Sequence, residues 1–231
     1  MNLLFQPTAP IIALTSSGEG FPVRRVFCIG RNYEEHAKEM GMKADPEAPF
    51  FFTKWAETVV GDGATIAYPQ GTTNFHYEAE LVVAIGKRGR NISQDEAMTH
   101  VWGYAAGLDM TRRDLQGEAR GKGRPWDAGK NVEQSSPLGL IHPAAALGDA
   151  TKGTISLTVN GEVKQKGDLS ELITPIDRLI EFLSGLYTLE PGDLIYTGTP
   201  AGVGPVVPGD VMVVEIEGLS SLTISVGQPL G

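Results

Sequence analysis

The chain has 231 residues, is 41% hydrophobic and carries a formal net charge of −9. It has no excess of lysine and arginine with which to neutralise phosphates, so its composition argues against a nucleic-acid-binding protein. The one cysteine, Cys28, excludes both a disulfide framework and a zinc site built from clustered thiolates. Cys28 lies in the apolar run VFCIG, which indicates a buried, unreactive thiol.

The N-terminal sequence MNLLFQPTAP lacks the charged and apolar regions of a signal peptide. No apolar run approaches the roughly 20 residues that a membrane-spanning helix needs. We therefore expect a cytoplasmic protein that binds neither membranes nor nucleic acids. The length suits one large domain over residues 1–231, in which residues 1–22 form an N-terminal segment whose structure the sequence does not determine.

Short β-rich runs separated by glycine and proline predict most of the fold. Strands are expected at 25–30, 64–67, 77–85, 137–141, 154–160, 193–197 and 211–216. Three helices are expected: RNYEEHAKEMG (31–41), SQDEAMTHVWGY (93–104) capped by Ser93, and TPIDRLIEFLSGL (174–186) with Thr174 as N-cap. VNGEV contains the Asn-Gly pair of a hairpin turn. This pattern predicts a β-rich α+β fold.

The stretch NFHYEAELVVAIG (74–86) resembles a buried strand, yet it carries two glutamates on one face. Side chains alternate along a strand, so Glu78 and Glu80 share the face that Val82 and Ala84 continue as apolar. Two buried like charges need compensation. A divalent cation would supply it, and carboxylate oxygens favour Mg²⁺, Mn²⁺ or Ca²⁺ over zinc or copper. The alternative is a solvated strand face.

A third carboxylate and a general base are candidates elsewhere in the chain. Asp109 ends the apolar run of GYAAGLDMTRRDL, with Asp114 as its competitor. His36 and Glu39 stand at i and i+3 on the first helix, where a carboxylate can orient an imidazole that accepts a proton from water. The alternative for this pair is a solvated surface contact.

Two further segments suggest a site for an anion. Cationic residues cluster in the region 109–131, where most are expected to be solvated and one or two suit an anionic substrate: Arg112, Arg113, Arg120, Lys122, Arg124 and Lys130. The glycine-rich segment TGTPAGVGPVVPGD is a weak phosphate-loop candidate, because no helix follows it. It is better interpreted as a loop between strands that faces a site.

Six segments follow one another over roughly residues 23–222: GRNYEEHAKEMG, PFFFTKW, HYEAELVVAIG, GYAAGLDMTRRDLQ, GRPWDAGKN and LEPGDLIYTGTPAGVGPV. In this order they resemble the fumarylacetoacetate hydrolase family, above all through His-x-Glu-x-Glu at 76–80, the Asp of LDMTRRD, and TGTPAGVGP. Within the family, FFFTK, LDMTRRDLQ and GRPWD are most similar to bacterial fumarylpyruvate hydrolases, which act in gentisate breakdown. Trp55 departs from the pattern, because many relatives have proline there, and we expect it to reshape one pocket wall.

The resemblance implies roles for individual residues. Glu78, Glu80 and Asp109 would bind Mg²⁺ or Mn²⁺, with Ca²⁺ as a possible substitute. His36 and Glu39 would activate water on a lid, and Lys130 would polarise the substrate. The implied substrate contacts are Arg31, Lys54, Arg113, Gln116 and Thr199. The family fold is an α+β arrangement of mixed sheets rolled around the metal site, usually in a homodimer.

The implied activity is metal-dependent hydrolysis of a carbon–carbon bond in a β-diketo acid, with fumarylpyruvate giving fumarate and pyruvate. Arg113, Arg120 or Arg124 would bind the far carboxylate of this substrate. Alternatives on the same metal site are an acylpyruvase, an oxaloacetate decarboxylase and a dienoate isomerase. An alternative of another class is a non-catalytic, cation-stabilised β domain used for binding.

Overall fold

The computed structural model describes residues 4, 8–41, 49–147 and 150–230, most of which belong to strands and their connections. The strands are β1 (Ile12–Leu14), β2 (Gly20–Pro22), β3 (Arg25–Gly30), β4 (Phe50–Lys54), β5 (Val59–Val60), β6 (Thr65–Ala67), β7 (Phe75–Tyr77), β8 (Ala79–Ile85), β9 (Val101–Leu108), β10 (Thr111–Arg112), β11 (Ser136–Pro137), β12 (His142–Pro143), β13 (Thr154–Val159), β14 (Glu162–Asp168), β15 (Asp193–Tyr196), β16 (Gly204–Val206), β17 (Val211–Ile216) and β18 (Leu222–Gly227). The helices are α1 (Glu34–Glu39), α2 (Gln94–Ala97), α3 (Arg113–Gly121), α4 (Asp127–Lys130) and α5 (Ile176–Leu186).

A six-stranded mixed sheet in the order β12-β9-β8-β15-β3-β4 lies at the centre of the fold. Only β15 and β3 pair in parallel; the other neighbours are antiparallel. Both faces of the sheet are covered, since Leu81 and Val83 belong to one hydrophobic core cluster while Val82 and Ala84 belong to another. Every residue of β8 is therefore buried.

A five-stranded sheet in the order β14-β13-β17-β18-β6 contributes its inner side chains to the larger of these cores. Leu157, Val214 and Ile224 share that cluster with Leu81 and Val83. The apolar stripe of α5 joins the same cluster. The smaller strand β7 lies between β10 and β16 in a three-stranded sheet, so the chain reaches β8 directly from a second sheet.

The hairpin of β13 and β14 contains a β-bulge that changes which residues face the core. Asn160 and Gly161 form its turn with positive φ angles of 52° and 82°, as the Asn-Gly pair predicts. Leu157 pairs with Gln165 and Thr158 pairs with Val163, so the residue between them has no partner on β13. Gln165 consequently lies opposite the buried Leu157 and is itself 1% exposed.

The predicted elements agree with the structure in type and differ at several boundaries. The third predicted helix begins at Ile176 after Pro175 at the N-cap, and Thr174 lies outside it with its N–H bound to Asn32. Ser93 occupies the N-cap of α2, but this helix ends at Ala97. Residues 101–104 belong to β9, which pairs with β8 and is buried from Gly103 onward. The strand predicted at 137–141 is reduced to β11 with isolated bridges.

The burial of one residue agrees with its prediction, and two of the described helices, α3 and α4, were not predicted. Cys28 is buried on β3, and burial raises the pKa of its thiol well above the ordinary value. The longest described helix, α5, has eleven residues, and none of the described helices is both long and apolar enough to cross a membrane. Both α3 and α4 lie in the cationic region 109–131, for which the sequence predicted no helix.

Candidate active site

Three carboxylates meet where β8 and β9 pair. Glu78 precedes β8, Glu80 lies on it, and Asp109 follows β9. The antiparallel register places Ala79 opposite Leu108, and the N–H of Asp109 donates to the carbonyl of Glu78 at 2.9 Å. One oxygen from each of the three carboxylates lies within 4.8 Å of the others, and all three side chains are buried.

Glu78 and Asp109 are surrounded by cations. Lys130 Nζ donates to Glu78 Oε2 at 2.7 Å and to Asp109 Oδ2 at 2.6 Å. The guanidinium of Arg113 donates to Glu78 Oε1, and Lys54 Nζ donates to Asp109 Oδ1 at 2.8 Å. Burial opposes ionisation of Glu78, yet Lys130 and Arg113 together hold its pKa below the ordinary value. Glu78 is therefore a carboxylate at neutral pH.

Glu80 differs from the other two acids. It accepts the N–H of Gly198 at 2.8 Å, and no lysine or arginine of the described residues donates to it. Burial raises its pKa well above the ordinary value, and the charges of Asp109 and Glu78 raise it further. Glu80 is thus a buried acid beside two carboxylates, and no described lysine or arginine donates a hydrogen bond to it. A hard divalent ion would compensate its charge, and the three carboxylates offer such an ion oxygen donors of the right type and number.

We expect binding of Mn²⁺ to depend on pH because of Glu80. Its pKa is raised, so in the metal-free protein it holds a proton at pH values where an ordinary glutamate is ionised, and the metal must displace that proton. The association constant should rise about tenfold per pH unit across this range and then level off. Calorimetric titration of the metal-stripped protein with Mn²⁺ in buffers of different ionisation enthalpy measures the protons released. An association constant independent of pH between 5 and 8 would contradict the expectation.

His36 and Glu39 form the predicted pair on α1. His36 Nδ1 lies 3.1 Å from Glu39 Oε2, and Glu39 also accepts the N–H of Gly202. With Nδ1–H donating to the carboxylate, Nε2 carries the free lone pair that can accept a proton. The His36 side chain is only 9% exposed, while that of Glu39 is 35% exposed. The pair is thus a half-buried contact with an oriented imidazole.

One pocket contains both the carboxylates and this imidazole. Its lining consists of Ile29, Gly30, Arg31, His36, Met40, Phe52, Glu78, Glu80, Asp109, Arg113, Gln116, Trp126, Lys130 and Thr199. The structure therefore brings together all the predicted site residues except Glu39 and Lys54, which are not part of this lining. Phe52, Trp126 and Met40 add apolar side chains to this lining, and the sequence did not indicate them as site residues.

Lys54 lies behind Asp109 rather than in the pocket. Its three ammonium hydrogens face Asp109 Oδ1, the carbonyl of Met110 at 3.3 Å and that of Ser135 at 2.6 Å. The side chain is fully buried. The prediction that Lys54 contacts the substrate is therefore replaced by a role in holding Asp109.

The other cations of 109–131 separate into two groups. Arg113 also donates to Gln116 Oε1 at 2.7 Å, which orients that amide in the pocket. Outside the pocket, Lys122 pairs with Glu118 on the surface of α3. Asp114 lies outside the pocket as well and accepts hydrogen bonds from Thr72 and Thr73, so it is not the third acid.

Arg31 stands at the rim of the pocket in an unusual backbone conformation. Its φ of 63° is positive, and its guanidinium lies 5.1 Å from the centroid of the Phe50 ring. Its Nε is buried and has no hydrogen-bond partner among the described residues. A side chain held in this way over an aromatic ring is a cation available to a ligand.

Trp55 does not reshape a pocket wall, contrary to the expectation. Its side chain is 57% exposed and lies outside the pocket lining. Its backbone N–H donates to Asn131 Oδ1 at 2.9 Å. Proline has no N–H, so this hydrogen bond beside Lys130 is what a tryptophan adds at this position.

Residues 197–203 of the glycine-rich segment connect β15 to β16 and face the site, as predicted, whereas 204–206 of the same segment form β16 itself. Gly198 and Gly202 have φ angles of 103° and 97°, which allow their N–H groups to reach Glu80 and Glu39 respectively. The same loop thus holds one carboxylate of the cluster and the partner of His36.

Comparison with known proteins agrees with this site. The model of the family "Fumarylacetoacetate (FAA) hydrolase C-terminal" matches residues 25–227. The chain belongs to the fumarylacetoacetate hydrolase family. The resemblance suggested by the sequence motifs is confirmed, and the β-rich α+β fold with mixed sheets around the carboxylates agrees with that of solved family members.

Individual members of the fumarylacetoacetate hydrolase family are similar over nearly the whole chain. A fumarylpyruvate hydrolase of Ralstonia sp is 50% identical over 190 residues, covering 81% of this chain and 98% of the relative. The mitochondrial oxaloacetate tautomerase of Bos taurus is 40% identical over 206 residues, covering 89% and 93%. The crystal structure of fumarylpyruvate hydrolase from Pseudomonas aeruginosa in complex with Mn²⁺ and pyruvate matches with a TM-score of 0.94 and 48% identity, covering 98% and 100%.

Proposed function

We propose that this protein is a metal-dependent hydrolase that cleaves a carbon–carbon bond in a β-diketo acid, with fumarylpyruvate as substrate and fumarate and pyruvate as products. The observation that carries the proposal is one pocket lined by Glu78, Glu80, Asp109 and His36. Such a pocket combines a site for a divalent ion with an oriented base. The identity to the Ralstonia fumarylpyruvate hydrolase supports the choice of substrate.

The carboxylate cluster would hold Mg²⁺ or Mn²⁺, with Ca²⁺ able to occupy the same oxygen ligands. A divalent ion bound there supplies Lewis-acid polarisation to the oxygens of a 2-oxo acid. Lys54 and Lys130 donate hydrogen bonds to Asp109 and hold its carboxylate in position for this task. The relative from Pseudomonas aeruginosa holds Mn²⁺ and pyruvate, which supports both the type of ion and the type of ligand.

His36 would take a proton from water at Nε2, and Glu39 would stabilise the imidazolium that forms. The resulting hydroxide adds to the carbonyl carbon distal to the 2-oxo acid. The carbon–carbon bond then breaks, and its electron pair leaves on pyruvate as the enolate, whose negative oxygen Lys130 would stabilise. His36 returns its proton to the enolate carbon, so the net reaction consumes one water molecule.

Substrate binding would use Arg31, Arg113, Gln116 and Thr199, which all line the pocket. For the far carboxylate of fumarylpyruvate, the sequence suggested Arg113, Arg120 or Arg124. Arg113 already binds Glu78, and the other two are absent from the lining. We assign this role to Arg31, because its Nε is buried and no residue in the described part of the chain accepts a hydrogen bond from it.

The biological setting follows the same proposal. The protein would act in the cytoplasm, as one domain over residues 1–231, in the breakdown of aromatic compounds through gentisate. It would form a homodimer and use small anionic oxoacids as its only ligands besides the metal. Gel filtration with light scattering tests the oligomeric state.

Oxaloacetate chemistry is the second candidate, because the Bos taurus relative is an oxaloacetate tautomerase. An oxaloacetate decarboxylase, an acylpyruvase for shorter chains and a dienoate isomerase would use the same carboxylates. The contact of His36 with Glu39 favours hydrolysis over isomerisation, since isomerisation needs no attacking water. A non-catalytic binding domain would have no use for this pair together with Lys130.

The test is a turnover assay with metal-stripped protein and fumarylpyruvate, with and without Mg²⁺ or Mn²⁺. Loss of the enol absorbance and chromatography of the products follow the reaction, with acetylpyruvate and oxaloacetate assayed in parallel. We expect metal-dependent release of fumarate and pyruvate in equal amounts. Inert fumarylpyruvate together with turnover of oxaloacetate or acetylpyruvate would contradict the substrate but not the metal site.

A further inference from the structure

Gln165 carries a buried amide on β14, a strand whose other residues are exposed or partly exposed. The sequence of β14, EVKQKGD, is mostly charged, and Gln165 is its only fully buried residue. The bulge beside it shifts the register by one residue, so that Gln165 faces inward opposite Leu157. Burial of an amide with full hydrogen bonding at a shifted register indicates a specific task for this side chain.

The amide connects two segments of the active site. Gln165 Oε1 accepts the N–H of Ala79, the residue between Glu78 and Glu80, at 2.9 Å. Gln165 Nε2 donates to Thr199 Oγ1 and to the carbonyl of Pro200, each at 2.8 Å. A backbone N–H only donates and a carbonyl only accepts, so these two partners fix which end of the amide is oxygen and which is nitrogen.

This arrangement determines the direction of the Thr199 hydroxyl proton. Because Thr199 Oγ1 accepts from Gln165, its own proton must lie along another direction. No acceptor for that proton occurs among the contacts of the described residues, although Thr199 is 3% exposed and lines the pocket. Thr199 also follows Gly198, whose N–H binds Glu80, so it stands at the end of the pocket where the carboxylates lie.

We propose that Gln165 is a positioning residue that fixes the Thr199 hydroxyl as a hydrogen-bond donor to the carboxylate of a 2-oxo acid bound at the Glu80 side of the pocket. This proposal rests on the proposed function for the nature of the ligand. The proposal concerns the direction of one hydroxyl group. Gln165 Nε2 donates a hydrogen bond to Thr199 Oγ1, and the Thr199 hydroxyl in turn donates a hydrogen bond to the ligand.

The decisive variant is Gln165→Glu. A carboxylate still accepts the N–H of Ala79, but it cannot donate to Thr199 Oγ1 or to the carbonyl of Pro200, so the Thr199 hydroxyl would turn and donate to residue 165 instead. Titration of the Mn²⁺-loaded protein with pyruvate should then show a loss of affinity of about tenfold or more, which is typical for a hydrogen bond to a charged group. Thr199→Val should lose a similar factor, and Gln165→Glu/Thr199→Val should be no weaker than Thr199→Val alone.

Gln134→Glu is the matched control, because Gln134 Oε1 also accepts a backbone N–H, that of Ala67, in a different pocket. It should bind pyruvate as the wild type does. Mn²⁺ affinity, measured separately, should be retained in Gln165→Glu. If that variant does not fold or loses Mn²⁺, Gln165→Met replaces it: the amide is removed without adding charge, and its smaller loss of pyruvate affinity should vanish in the Thr199→Val background.

Wild-type pyruvate affinity in Gln165→Glu, or losses that multiply in the double variant, would overturn the proposal, because a merely structural role acts independently of the Thr199 hydroxyl. The outcome is separable from that of the proposed function. A wild type that binds Mn²⁺ and pyruvate without hydrolysing fumarylpyruvate contradicts the reaction, while the pyruvate titrations still decide the role of Gln165.

Discussion

Glu80→Gln should abolish turnover while leaving the fold intact. The substitution removes one ligand charge, so Mn²⁺ affinity should fall by more than the roughly 10–100-fold that loss of an outer-shell partner costs. Turnover should fall by about 10³-fold or more, since the ion's stabilisation of charge contributes several kcal/mol. Glu80 has no lysine or arginine partner among the described residues, so no buried cation loses its anion. The free energy of unfolding of the metal-free protein should stay within about 1 kcal/mol of the wild type.

Asp109→Asn is the matched comparison, because it removes a charge of the same cluster that does have cationic partners. Lys54 and Lys130 would lose an anion in a buried site, which costs about 3–5 kcal/mol. Calorimetric titration with Mn²⁺ and chemical denaturation of the metal-free proteins separate the two effects. Equal destabilisation by both substitutions, or undiminished Mn²⁺ affinity in Glu80→Gln, would contradict the assignment of Glu80 as a ligand without a structural ion pair.

The variant His36→Gln should lose turnover but still bind Mn²⁺ and pyruvate. His36 Nδ1 is 3.1 Å from Glu39 Oε2, and the imidazole makes no hydrogen bond or ion pair with Glu78, Glu80 or Asp109, so Mn²⁺ and pyruvate should bind as in the wild type. Removal of a general base lowers the rate by about 10²–10⁴-fold. Single-turnover measurements with fumarylpyruvate and parallel pyruvate titrations separate the chemical step from binding.

His142→Gln is the control for this variant. His142 is also partly buried and hydrogen-bonded, with Nε2 3.0 Å from Ser220 Oγ, and it lies outside the pocket. It should retain full turnover. Turnover of His36→Gln at the rate of His142→Gln would refute the role of His36 as the base.

The carboxylate cluster was predictable because strand periodicity and strand ends are local properties. Alternation put Glu78 and Glu80 on one face, and an acid at the end of an apolar run indicated Asp109; in the structure these segments pair as β8 and β9. The lysines that neutralise the charges of this cluster could not be predicted from a local pattern. Lys130 and Lys54 lie 21 and 55 residues from Asp109, and no local pattern relates them to it.

Gln165 illustrates why part of the site could not be found from the sequence. Strict alternation along a hairpin would place Lys164 opposite Leu157, and only the bulge turns Gln165 inward. The helix α3 was missed for a related reason, because most of its charged residues, Arg113 excepted, are exposed, and its buried residues are few, such as Gln116 and Ala119. Tertiary packing, which the sequence pattern does not encode locally, decides both cases.

The ion pairs described above also determine which ligands the pocket favours. Glu78, Glu80 and Asp109 supply three negative charges when ionised, and Lys54, Lys130 and Arg113 supply three positive charges. With all three acids ionised, as metal binding requires, this set is electrically neutral, within a chain whose net charge is −9. A divalent ion would give it a surplus of two positive charges in a buried site, where charge is screened only weakly. A dicarboxylate restores neutrality, whereas a monoanion leaves one charge uncompensated, so the charge balance favours dianionic over monoanionic oxoacids.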